Sequence, residues 1–375
     1  MLILGIESSC DETAAAVIAE TGDPGKPWDV RSSVIASQVA IHREWGGVVP
    51  ELASRQHLRD ICGVVERAMG DAGVAWPDLG AIAVTQGPGL VGSLLVGVSF
   101  AKSLAAVHGL PLVPVHHLAG HIESLFLENG VIPLPAVVLV VSGGHTSLYL
   151  VPEEGVYRLL GKTRDDAAGE AYDKVAKLLG LGYPGGPVVD RRARAGNDRA
   201  IDFPVARMTH ADRAQGPARG VPGPFEEALK WRADFSFSGL KTSVLRYVRR
   251  RQEERAREVE RGACLHDAPL FTEGEIEDLC ASFQRAVVES LLERTFEAAR
   301  WFGAQSVGIA GGVSANSRLR RDATSRGERV GLPVFLPSLA LSTDNAAMIA
   351  AAGLRRYHAG VRAGLDLNAE ASLAL

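Results

Sequence analysis

LILGIESSCDETAAAVI, residues 2–18, reads as a strand, a polar turn (ESSCDET) and a second strand, and VVLVVSGGHTSLYLV, residues 137–151, repeats that plan around SGGHT. In both, a run of branched apolar residues stops at small and polar residues and resumes a few positions later. That interval is too short for a crossover helix, so each pair closes as a hairpin. One hairpin opening each half of the chain indicates a duplicated, two-lobed molecule whose turns face a shared cleft.

Outward from these hairpins, short β-rich runs alternate with helical patterns, the signature of an α/β protein with a largely parallel sheet. Strands are expected at LILGI, AAAVIA, AIAVTQ, LPLVPV, AVVLVV, TSLYLV, SVGIAG and LPVFLP, and long helices over 51–73, 92–109, 171–182, 276–303 and 344–360. The actin-like ATPase fold of sugar kinases, Hsp70 and actin is built from two duplicated α/β lobes around a central cleft, and that is the architecture expected here. One lobe is expected over 1–130, with the C-terminal segment 350–375 packing back on it, and the other over 131–349. Charged insertions near 197–233 and 249–275 lack the periodicity of the core, and the second begins RRRQEERAREVERG, read as a solvated helix extension.

The 375 residues are 46% hydrophobic, enough for a sizeable core. A formal charge of −4 and a pI near 6.2 advertise no global nucleic-acid field. RNA contact is left to local patches such as Arg191, Arg192, Arg194 and Arg199. Four cysteines without CxxC spacing argue against a thiolate zinc site and a disulfide scaffold. Glu7 interrupts the N-terminal apolar run, which also lacks a basic flank, so a signal peptide is not expected. Stretches such as PAVVLVV fall short of the roughly 18 residues of a membrane span. A soluble, cytoplasmic protein with no membrane partner is the expectation.

GPGLVG (87–92) matches G-x-G-x-x-G, but the following strand ends in Val115, His116 and His117 where a ribose-binding acid is required. Close helix packing explains those glycines better. Neither a P-loop nor a G-x-S-x-G nucleophile elbow occurs. SGGHT (142–146) and AGGVSANSRLR (310–320) place paired glycines directly after buried strands, where backbone amides can approach an anion. Asn316, one turn into the next helix, is a candidate for a base or ribose. Asp190, ending the Gly-rich turn GYPGGPVVD, is a candidate ribose acceptor, and Asp173 on the preceding helix a candidate ligand contact.

His117 and His121 in HHLAGH (116–121) stand four apart. On a helix this puts their Cβ atoms about 5–6 Å apart, close enough for one metal, though two cap or surface histidines fit the spacing equally. Leu118 follows His117, so the glutamate base of HExxH is missing and a metallopeptidase loses its chemistry. Asp344 in STDNAAMIA is either a third ligand or, beside Ser342 and Thr343, the cap of its own helix.

Taken together, GIESSCDETAAAV, GGVVPELASRQH, GPGLVGSLLVG, HHLAGHIES, VVSGGHTSL, DDAAGEAYDKVAKLLGLGYPGGP, FSFSGLKTSV, GGVSANSRLR and STDNAAMIA, in order from residue 5 to 350, resemble the tRNA N6-adenosine threonylcarbamoyltransferases. The resemblance implies the actin-like fold and transfer of a threonylcarbamoyl group from threonylcarbamoyl-AMP to N6 of the adenosine 3′ of the anticodon in ANN-decoding tRNAs, releasing AMP. It implies one divalent ion, Fe2+ or Zn2+, on His117, His121 and Asp344. It also implies an adenylate held by Val140, Val141, Ser142, Gly143, Gly144, Asp173, Gly186, Asp190 and Asn316. The implied partners are tRNA, the adenylate, a TsaB-like paralogue and a TsaE-like ATPase. Such a donor is already activated, so no nucleophilic serine or cysteine is needed. Asp11 and Glu12 in the first turn are candidates to accept the amine proton or fix the donor. Trp45 stands where the family more often has tyrosine. Two readings compete: an actin-like kinase or ATPase, which would chelate magnesium on cleft carboxylates, and a non-enzymatic nucleotide-sensing partner, which would not need the whole ligand set.

Overall fold

The computed structural model describes residues 1–205, 233–261 and 269–375. In the first of two five-stranded sheets, β1 (Leu2–Glu7) pairs antiparallel with β2 (Glu12–Glu20), and β2 antiparallel with β3 (Trp28–Ser37). On its other side β1 runs parallel to β4 (Ala81–Gly87), which runs parallel to β5 (Leu112–His116). The order is β3-β2-β1-β4-β5. In the second sheet, β6 (Ala136–Val141) pairs antiparallel with β7 (Thr146–Val151) and β7 with β8 (Arg158–Lys162). Parallel to β6 lie β9 (Ser306–Ala310) and then β10 (Val334–Phe335), giving β8-β7-β6-β9-β10. Order and direction match strand for strand, so the echo in the sequence is a structural duplication, and the fold is actin-like.

The edge strands β3 and β8 escape the sequence pattern. β3 (WDVRSSVIAS) buries few of its ten residues and β8 is only five long, so neither carries an apolar run. One sequence expectation is corrected. Val91–His108 is an 18-residue helix apolar enough by composition to cross a membrane, a third of it buried in the fold. It packs on β4 and on the Pro50–Ala72 helix.

The Ala346–His358 helix lies on β1 and β4, beginning earlier than residue 350. Its small residues permit a close seat: a Cβ on Gly5 would stand 2.3 Å from the Ala346 carbonyl oxygen, and one on Gly353 2.4 Å from Ala83 Cβ. Beyond it an irregular strap returns to the first sheet, where the Glu370 amide donates to Gln86 O and the Gly89 amide to Ala371 O. Of the charged insertions, residues 206–232 and 262–268 lie outside the described residues, while the start of the second is the end of the Ser238–Glu260 helix.

Candidate functional site

β5 runs directly into the His117–Asn129 helix, so His117 and His121 occupy its first two turns. His116 is its N-cap. Its Nδ1 accepts from the Leu118 amide at 3.1 Å, and its Nε2 donates to the Leu373 carbonyl at 3.1 Å. The Nε2 atoms of His117 and His121 lie 3.6 and 3.2 Å from Asp344 Oδ1, and the two rings are 4.8 Å apart edge to face. Asp344 does not cap its helix. Asn345 does, accepting from the Met348 amide at 2.9 Å, while Ser342 donates to the Ser338 carbonyl. The two helices touch at Gly120, where a Cβ would stand 2.9 Å from Ile349 Cδ1.

Atoms each about 2.1 Å from one ion stand about 3–3.5 Å from each other. The three ligand atoms here all lie within 4.8 Å of one another. Within the fully buried His121 ring, Nδ1 lacks a hydrogen-bond partner among the described residues and Nε2 meets only Asp344 Oδ1, 3.2 Å away without hydrogen-bond geometry, a costly state unless another group satisfies them. His117, His121 and Asp344 can therefore hold a metal ion.

Glu7, which the sequence reading did not assign to the site, sits behind this group. Fully buried, its carboxylate accepts from His117 Nδ1 at 3.0 Å, from the Thr85 hydroxyl at 2.8 Å and from the Ser9 amide. That bond directs His117 Nε2 toward Asp344, the way an outer carboxylate orients a metal-binding imidazole. Burial pushes Glu7 up, yet the His117 charge and hydrogen bond hold it below its ordinary value. Burial pushes His117 down, but the Asp344 and Glu7 carboxylates raise it to about 9. A lone acid inside an apolar strand was the signal that could have found Glu7.

Both hairpin turns converge on His117: Ser9 Oγ stands 3.2 Å from its Nδ1, and the His145 ring lies 6.4 Å from its ring. In the first turn Asp11 is buried, and burial followed by the charges of Asp344 and Asp11 pushes Glu12 well above its ordinary value. In the second, the side chains of Val140 and Val141 are fully buried in the cores, so only their backbone is available to a ligand. Ser142 closes the turn, its amide donating to His145 O. Gly143, Gly144 and Gly186 have nothing within 4 Å of a would-be Cβ, whereas at Gly169 and Gly311 it would meet backbone oxygens at 2.5 Å. The first three are thus not required by packing, and open space lies above them.

Two expectations are adjusted. Asp190 lies within the Gly185–Ala193 helix, not at the end of a turn, and Asn316 is the N-cap of the Ser317–Val330 helix, not one turn inside it. They belong to one network: Asp190 Oδ1 accepts from the Ser317 hydroxyl at 2.8 Å and from Gln284 Nε2 at 3.2 Å, and Gln284 Oε1 accepts from Asn316 at 2.8 Å. Asp173 Oδ1 accepts from the Gly185 amide at 2.7 Å. In the arginine patch, Arg192 pairs with Glu273 and Arg194 with Asp190, while Arg191, Arg194 and Arg199 are all exposed.

The model of the family tRNA N6-adenosine threonylcarbamoyltransferase matches residues 29–351. The chain belongs to that family. Relatives bearing the same name include one from Koribacter versatilis, 50% identical over all of this chain and 99% of the relative, and one from Moorella thermoacetica, 50% identical over all of this chain and 97% of the relative. Among solved structures, component A of the (R)-2-hydroxyglutaryl-CoA dehydratase of Acidaminococcus fermentans is 14% identical with a TM-score of 0.47, covering 94% of this chain and 96% of its own. As a member of the threonylcarbamoyltransferase family the protein is an enzyme, a transferase of tRNA modification.

Proposed function

We propose that this enzyme transfers the threonylcarbamoyl group of threonylcarbamoyl-AMP to N6 of the adenosine 3′ of the anticodon in ANN-decoding tRNAs. The observation that carries the reading is the convergence of both hairpin turns on a buried His117–His121–Asp344 group, beside glycines that packing does not require. In the reaction the N6 nitrogen bonds to the carbamoyl carbon, the bond from that carbon to the phosphate oxygen breaks, and AMP leaves with the electron pair. N6 gives up one proton.

The ion, Fe2+ or Zn2+, would supply Lewis-acid polarisation of a donor oxygen when held by His117, His121 and Asp344. The chain's own residues do the rest. Ser142, Gly143 and Gly144 with the backbone of Val140 and Val141, together with Asp173, Gly186, Asp190 and Asn316, bind the adenylate and fix its direction. Positioning of this kind supplies much of the rate when the nucleophile is a weak amine. Glu12, in the first turn, accepts the amine proton, and Asp11 beside it helps fix the donor. The same reading assigns residues 1–130 and 131–349 to the two lobes, with 350–375 returning to the first, and a cytoplasmic setting with a TsaB-like paralogue and a TsaE-like ATPase as partners.

The test incubates the protein with both partners, unmodified tRNA, threonine, bicarbonate, ATP and an adenylate-forming enzyme, and reads threonylcarbamoyladenosine by nucleoside mass spectrometry. Product is expected from the wild type and none from His117→Ala or Asp344→Ala. No product with a working adenylate supply overturns the assignment.

A further inference from the structure

His145 ends the second hairpin turn, and the reaction proposed above gives its side chain no role. The turn needs only its backbone: its carbonyl accepts from the Ser142 amide at 2.8 Å and its amide donates to Ser142 Oγ at 3.2 Å. The imidazole is half-buried near the metal-binding group, its ring 6.4 Å from that of His117, and neither ring nitrogen has a hydrogen-bond partner among the described residues.

Two imidazoles bound to one ion through nitrogens about 2.1 Å away have ring centres about 5 Å apart at near-tetrahedral or octahedral angles. His117 and His121, at 4.8 Å, meet that condition, and His145, at 6.4 Å from His117, does not. It stands just outside the ligand set, directly after the open glycines Gly143 and Gly144 in the chain.

We propose that His145 is a donor-binding residue whose ring N–H donates a hydrogen bond to a phosphate oxygen of the adenylate lying over Gly143 and Gly144. This rests on the function proposed above. As the carbon–oxygen bond breaks, negative charge grows on the departing AMP, and a fixed donor aimed at its phosphate holds the leaving group and stabilises that charge.

Calorimetric titration of the metal-loaded wild type, His145→Ala and His145→Asn with AMP and with adenosine tests this, with metal content and melting temperature measured on each sample. The alanine variant is expected to keep its metal and its adenosine affinity but to bind AMP about 10-fold more weakly, the scale of one hydrogen bond to a charged group. His145→Asn, which keeps an N–H donor, is expected to recover part of that loss. Unchanged AMP binding, or an equal loss for AMP and adenosine, overturns the proposal. Loss of the metal also overturns it and makes His145 a ligand. A wild type that shows this binding pattern but forms no modified nucleoside instead overturns the transferase reading and leaves the phosphate contact standing.

Discussion

At His117 two carboxylates act on one imidazole from opposite sides, Glu7 on Nδ1 at 3.0 Å and Asp344 near Nε2 at 3.6 Å. Replacing Glu7 by Gln keeps the volume and removes the charge that orients the ring. Metal affinity, read by competition against a chelator, is expected to fall about 10–100-fold with the fold intact. Wild-type affinity in that variant would mean that packing alone orients His117. The same contacts fix a pH dependence for the metal-free protein. His117 rises from 6.5 to about 9 on folding, so its contribution to stability is complete below pH 6.5 and is lost as pH rises through about 9. Melting curves of metal-free protein should decline across that window, and metal uptake there should expel a proton. A flat profile would show that His117 is not protonated in the metal-free fold.

At the scale of elements, the site depends on how closely the Ala346–His358 helix approaches β1. Gly5→Ala drives a Cβ into the Ala346 backbone, two residues from Asp344, and backbone cannot swing aside. The expected cost is about 1–3 kcal/mol in chemical denaturation, with reduced metal content. Gly120→Ala, whose tight contacts are with side-chain atoms, Ile349 Cδ1 and Met348 Cγ, should cost less. Equal stability and full metal in Gly5→Ala would show that the helix can shift without moving Asp344. The elements also show where sequence reading stops. Strands buried on both sides announce themselves as apolar runs, whereas β3 and β8 at the edges do not. Helix boundaries near glycine are equally local: Asp190 and Asn316 were found as candidates, but their places in a helix and at a cap were set by how GYPGGP and GGVSAN turn.

Across the whole molecule, the candidate metal site joins the end of β5, the loop before the Ala346–His358 helix and both hairpin turns, so metal binding is coupled to their common arrangement. A ligand at about 100 times its Kd stabilises the state that binds it by about 2.7 kcal/mol. Chelation of metal-loaded protein should therefore lower the melting temperature by a few degrees, and Asp344→Ala should show no such response. An identical shift in Asp344→Ala would move the ion elsewhere.

The sequence by itself determined the duplicated hairpins, the apolar pattern of the central strands and the spacing of His117 and His121, because each is a short-range property of strand or helix geometry. Only the tertiary structure decided that Asp344 meets the pair, that Glu7 stands behind it and that His116 caps the helix against Leu373. Those partners are remote in sequence, and close packing at Gly5, Gly120 and Gly353, not any local pattern, brings them within bonding distance.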